Sequence, residues 1–239
     1  MQSSTEDKNI QSSPDQLLNS LVRELKSPLI LIARHAELEK AGSKDASAFA
    51  SIQGVAEKTL QLIDSYLLMA RAEYGQKTFP METVGVGSVI HEVEEDLSAY
   101  ARDHQIDFAA DVKDGNVMAN RDGLRAVVWC LVELVMAQND DKEKGARKRV
   151  VIRTRREKQK VSISVLGNRI SISNKDIDIA RSQQGMSHLA GGKIADSGIR
   201  LAIADVLASS LGSNLQVKRI NGLKGLSFDL ALSSQLQLI

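Results

Sequence analysis

The stretch PDQLLNSLVRELKSPLILIARHAELEKA, Pro14 to Ala41, and the stretch ASAFASIQGVAEKTLQLIDSYLLMA, Ala46 to Ala70, decide the architecture of the first third of the chain. In the first, Leu18, Leu21, Leu25, Leu29 and Ile32 recur at spacings of three and four, the period of an amphipathic helix. Pro14 suits a first helical turn, where its missing N–H has no partner to lose, and Gly42-Ser43 supplies a stop. In the second, Phe49, Ile52, Ala56, Leu60, Ile63, Leu67 and Ala70 repeat the pattern. A helix from Pro14 to Ala41 would run roughly 40 Å at about 1.5 Å per residue, and the second is about as long, so the pair reads as an antiparallel hairpin. Val55, Leu62, Tyr66 and Met69 flank the main stripe and make the apolar surface too wide for one partner helix. The pattern therefore predicts a dimerising hairpin over residues 14–76, two copies forming a homodimeric four-helix bundle, with residues 1–13 as a loose polar tail.

Beyond Tyr74-Gly75 the pattern changes, and residues 77–239 are expected to form a second unit. An amphipathic helix spans Val86 to His104, a strand-like run Gln105 to Val112, and a strongly apolar helix Asp122 to Ala137. Arg149 to Arg155 and Lys160 to Leu166 read as the two strands of a hairpin. In the first of them Val150, Ile152 and Thr154 alternate with Arg153 and Arg155, so the local basic cluster reads as the solvated face of a half-buried strand. Gly167 to Ser197 has no clear period and reads as a long loop with room for a short helix. A helix from Gly198 to Leu211, stopped by Gly212, and strands Asn214 to Ile220 and Leu226 to Leu232 complete an α+β unit with helices over one face of a mixed sheet.

Composition excludes several classes. Of 239 residues, 43% are hydrophobic and 26% charged, the balance of a folded globular protein. Lys+Arg 31 against Asp+Glu 30 leaves a net charge of +1, with no global pull toward nucleic acid or an anionic membrane. An aromatic content of 3% argues against a stacking platform for single strands. The single cysteine, Cys130, excludes an internal disulfide, and no Cys/His group has zinc spacing, which points to a reducing, cytoplasmic setting. Apolar runs stop far short of the ~20 residues of a bilayer span, and Met1 to Ser13 lacks the apolar stretch of a signal peptide.

Four segments, in order, carry a family resemblance. Val22-Arg23-Glu24-Leu25-Lys26-Ser27-Pro28-Leu29 resembles the His-Glu-Leu-Arg/Lys-Thr/Ser-Pro-Leu motif in the first helix of sensor histidine kinases. Ala119-Asn120-Arg121-Asp122-Gly123-Leu124-Arg125 is similar to the entry into that family's Asn-bearing helix. Ser197-Gly198-Ile199-Arg200-Leu201-Ala202-Ile203 is similar to its Gly-Leu-Gly-Leu-Ala-Ile segment beside the nucleotide phosphates, and Gly225-Leu226-Ser227-Phe228-Asp229-Leu230 to its final strand. The resemblance covers about residues 14 to 235. It implies a dimerising, phosphoryl-accepting hairpin followed by an ATP-binding α/β sandwich.

The departures from the family pattern fall on the chemistry. The acceptor His aligns with Arg23, whose guanidinium is always protonated and has no free lone pair with which to attack a γ-phosphate. The places of the family's Asn residues, one of which holds Mg²⁺, are taken by Cys130 and Leu134, while Glu133 remains; leucine offers a hard cation no oxygen. The Asp-x-Gly-x-Gly box maps to Leu166-Gly167-Asn168-Arg169-Ile170-Ser171, which puts Leu166 where the family's Asp accepts the adenine amino group. Neither Asn168 nor Asp176 has a spacing that makes it a substitute. Gly198 is kept, but Arg200 fills a glycine place; by itself Arg200 reads as part of a solvated helix face, with an anion contact as the alternative. Gly191-Gly192 with Lys193 reads as a flexible loop.

Resemblance and departures together imply a degenerate histidine kinase, a homodimer without bound ATP or Mg²⁺. It would act by binding the receiver domain of a response regulator, or an active kinase, through the surface of Arg23, Glu24, Lys26, Ser27 and Pro28. The alternative is an active kinase or phosphotransferase working through noncognate residues, with His35 as its acceptor.

Overall fold

The computed structural model describes residues 25, 28–32, 34, 46–73, 79–113, 115–139, 148–181 and 198–233. Within the first predicted helix, Leu25, Pro28 to Ile32 and Arg34 are helical; Arg23, Glu24, Lys26, Ser27 and His35 lie outside the described residues, as do the predicted tail and Gly191 to Lys193. The remaining elements follow in the order α1 (Ala46–Glu73), β1 (Glu82–Gly85), α2 (Val86–Asp103), β2 (Ile106–Asp111), β3 (Asn116–Ala119), α3 (Arg121–Asn139), β4 (Lys148–Glu157), β5 (Lys160–Gly167), α4 (Asn174–Arg181), α5 (Gly198–Ser210), β6 (Gln216–Ile220) and β7 (Leu223–Ala231).

Five strands form one sheet in the order β2-β4-β5-β7-β6. β2 runs parallel to β4 and the other pairs are antiparallel, which makes the sheet mixed, as the pattern predicts. Alternation sorts its two faces. Ile163 sits between Thr154 and Phe228, and Val165 between Ile152 and Leu226, all buried on the side that carries the helices. The opposite side presents Ser162, Ser164 and Leu166 of β5, with Arg153 and Arg155 of β4. There Arg153 donates from Nε to Asp111 Oδ2 at 3.0 Å, so this part of the basic cluster is ion-paired strand surface. β1 and β3 make a separate antiparallel pair that no periodicity in the sequence predicts. Within the expected long loop, α4 starts at a capping box: Ser173 donates from its backbone N and its Oγ to Asp176 Oδ2, both at 2.7 Å. Asp176 is thereby committed to a helix terminus.

The second predicted helix forms, but its faces are used differently from expectation. α1 packs on α5 and α3 through Thr59, Leu62, Ser65 and Met69, all buried. Leu60 and Leu67, which belong to the predicted main stripe, are 60% and 46% exposed. The flank meets the α+β unit of its own chain, while Ile52, Ala56, Ile63 and Ala70 of the stripe are half-buried.

Two glycines on β7 and its turn differ in what they tolerate. A Cβ on Gly225 would lie 1.9 Å from the Val165 carbonyl oxygen, because the β5 backbone crosses that space. Gly222, at φ +80°, closes the Asn221-Gly222 turn between β6 and β7 and has open space around it. Gly225→Ala is expected to cost more than about 3 kcal/mol in urea unfolding, since backbone must move. Gly222→Ala should cost only about 1–2 kcal/mol, the left-handed penalty alone.

Candidate functional site

Helix α3 positions the candidate site. From Ala126 to Met136 every side chain is buried, so its few polar groups are held by neighbouring helices rather than by water. Glu133 is the acid among them, 7% exposed. Its Oε2 accepts from Arg200 Nε at 2.8 Å, and its Oε1 lies 3.4 Å from Lys58 Nζ. Lys58 comes from α1 and Arg200 from the first turn of α5, so one buried carboxylate joins three helices. Lys58 Nζ also stands 2.8 Å from the centroid of the Tyr100 ring of α2, a cation–π contact. Burial pushes the Lys58 ammonium below its ordinary range, and the Glu133 charge offsets part of that.

The neighbouring positions extend the contact. Arg125 of α3 donates to Gln61 Oε1 of α1 at 2.8 Å and to Asp96 Oδ2 of α2 at 2.6 Å. Cys130, fully buried, lies beside Ser65 of α1, whose hydroxyl donates to the Gln61 carbonyl oxygen at 2.7 Å, and burial pushes the thiol up to about 12. It is protonated at neutral pH and is no nucleophile. Leu134, one turn beyond Cys130, is buried within the core.

Of the residues proposed from sequence, Cys130, Glu133, Leu134, Gly198 and Arg200 belong to α3 and the start of α5, and Glu133 is bonded directly to Arg200. Arg200 is not on a solvated helix face; it is 20% exposed and faces a buried carboxylate. Leu166 does not join the group. Alternation along β5 puts it on the sheet face away from the helices, in register with Val151 and Gly225, whereas Gly167 pairs with Val150 on the helical side. Asn168 accepts from the Arg149 backbone N at 3.0 Å. Pro28 is half-buried in its helix, and the other proposed docking residues lie outside the described ones. Sequence reasoning missed Lys58, Gln61 and Ser65, whose only signal is a polar row at spacings of three and four inside an otherwise apolar helix.

No protein-family model matches this chain, and no curated protein matches its sequence. Solved structures do match. Histidine kinase AdeS of Acinetobacter baumannii superposes with a TM-score of 0.58 at 13% identity, over 88% of this chain and 98% of AdeS. Full-length ShkA, solved in complex with AMPPNP, gives 0.57 at 18% identity over 92% of this chain and 46% of ShkA. The fold is that of the histidine kinases. The catalytic domain of histidine kinase ThkA, at a TM-score of 0.50 and 20% identity, covers 63% of this chain and 98% of its own. At these identities the likeness concerns the fold, and α3 and α5 are the histidine-kinase-fold elements on which the Glu133 group sits.

Cys130 gives a direct check on the packing of this site. In native protein at pH 8, its labelling by iodoacetamide should run at least about 100-fold slower than in urea-unfolded chain, where the thiol titrates near 8.5. Comparable rates would mean that α1 does not seal this face of α3.

Proposed function

We propose that the chain is a catalytically degenerate histidine-kinase-like protein, a dimeric scaffold or modulator in two-component signalling that binds a response regulator or a kinase without autophosphorylation. The observation that carries this reading is the Glu133 cluster. Histidine-kinase chemistry needs oxygen ligands for Mg²⁺ and backbone room for phosphates. At the corresponding places Leu134 and Cys130 supply no oxygen, both Glu133 oxygens face cations, and Arg200 stands in a glycine place with its side chain bound to Glu133. ATP and Mg²⁺ do not fit these residues. Arg23, at the acceptor position, completes the argument, since a guanidinium is not a phosphoryl acceptor.

A protein of this kind works by contact. Leu29, Ile30 and Leu31 are 56%, 58% and 43% exposed, and with Leu60 and Leu67 they leave apolar side chains on the hairpin helices uncovered within one chain. A second copy forming a four-helix bundle is the partner that this surface suits. The surface of Arg23, Glu24, Lys26, Ser27 and Pro28 is then presented for a receiver domain. Among the described residues no helix is long and apolar enough to cross a membrane, which is compatible with a cytoplasmic role.

Calorimetric titration with ADP and a nonhydrolysable ATP analogue, with and without Mg²⁺, tests the central claim. The expected result is no binding up to about 1 mM, weaker than about −4 kcal/mol. Micromolar affinity would overturn it and move the search to a phosphoryl acceptor, with His35 first. Light scattering should give a dimer mass that falls to a monomer in Leu60→Glu/Leu67→Glu; a monomeric parent protein would remove the scaffold geometry.

A further inference from the structure

Lys58, Gln61 and Ser65 of α1 stand at positions i, i+3 and i+7, which is one face of a helix. Each contacts α3. Lys58 reaches Glu133 at 3.4 Å, Gln61 accepts from Arg125 at 2.8 Å, and Ser65, its hydroxyl bonded to the Gln61 carbonyl, lies beside Cys130. Leu62 and Met69 are buried beside this row and pack into the same core. The α3 partners are tied onward, Glu133 to Arg200 of α5 at 2.8 Å and Arg125 to Asp96 of α2 at 2.6 Å. The hairpin helix thus plugs into a charge network that already joins the helices of the α+β unit. Glu133 is the group on which this depends, because without its charge Lys58 and Arg200 would face each other as like charges in a nearly dry site.

We propose that this polar row is a latch that holds α1 closed over the Cys130–Glu133 face of α3, so that the hairpin helix and the ATPase-like unit move as one body. Loss of the Glu133 charge lets them part. The proposal concerns the position of α1 and stands whether or not a regulator or a nucleotide binds. A phosphate-bearing ligand arriving at the start of α5 would compete with Glu133 for the charge of Arg200. Latch and ligand therefore oppose one another, each weakening the other by the same factor.

Cys130 is the only cysteine of the chain and lies buried under α1, so its alkylation reports opening. In full-length protein at pH 8, Glu133→Ala should speed iodoacetamide labelling of Cys130 by roughly 10-fold or more, with the far-UV circular dichroism and a cooperative melt retained. A rate within twofold of the parent protein overturns the proposal. Should that variant not fold, Lys58→Met leaves the Glu133–Arg200 pair in place and should speed labelling about threefold. An unchanged rate there also overturns the proposal.

Discussion

From Ala126 to Met136 α3 has no solvent face, and a helix buried on every side must be covered on every side. The sheet covers it through β4 and β5, α5 and α2 flank it, and α1 closes the remainder. Such a helix tolerates polar groups only where a neighbour supplies the partner. Glu133 within this stretch, and Arg125 at its edge, are therefore as much fixed points for the surrounding helices as members of a site. Lys58 and Gln61 are answers to them from α1. The placement of the hairpin helix on the α+β unit follows from this demand, with Leu62 and Met69 adding the apolar contact.

Long periodic segments were legible and short nonlocal ones were not. The apolar repeat delivers α1, α2, α3 and α5, and strict alternation delivers β4 and β5, because each is long enough for its period to show. β1 and β3 have four residues each, and their pairing joins Glu82 to Ala119 across more than thirty residues, so no local pattern marks them. The Asn221-Gly222 pair between β6 and β7 is a strong hairpin signal, and both residues adopt the positive φ that such a turn needs. The Ser173-to-Asp176 spacing likewise announces α4.

The site was legible in half. Which α3 and α5 positions depart from the family pattern can be read from order and spacing. What Arg200 does cannot, because its partner Glu133 lies on another helix and only the packing of α5 on α3 brings the two together. Lys58 is further from view still, a single lysine on a helix that sequence assigns to a different unit. Leu166 differs: Val161, Ile163 and Val165 set the parity of β5, and that parity places Leu166 on the other face of the sheet.

Arg200, Glu133 and Lys58 are best understood as a coupled set. Arg200 brings a charge beside the buried part of α3, and such a charge is costly unless a carboxylate neutralises it at short range. Glu133 does so, but it then leaves Lys58 as a second cation in the same site, stabilised in part by the Tyr100 ring. Each member is acceptable only in the presence of the others. Replacing Arg200 by glycine would leave Glu133 buried with Lys58 alone, and a carboxamide in place of Leu134 would put a polar group into the packed core. The three helices and the three charges are thus one packing problem with one solution.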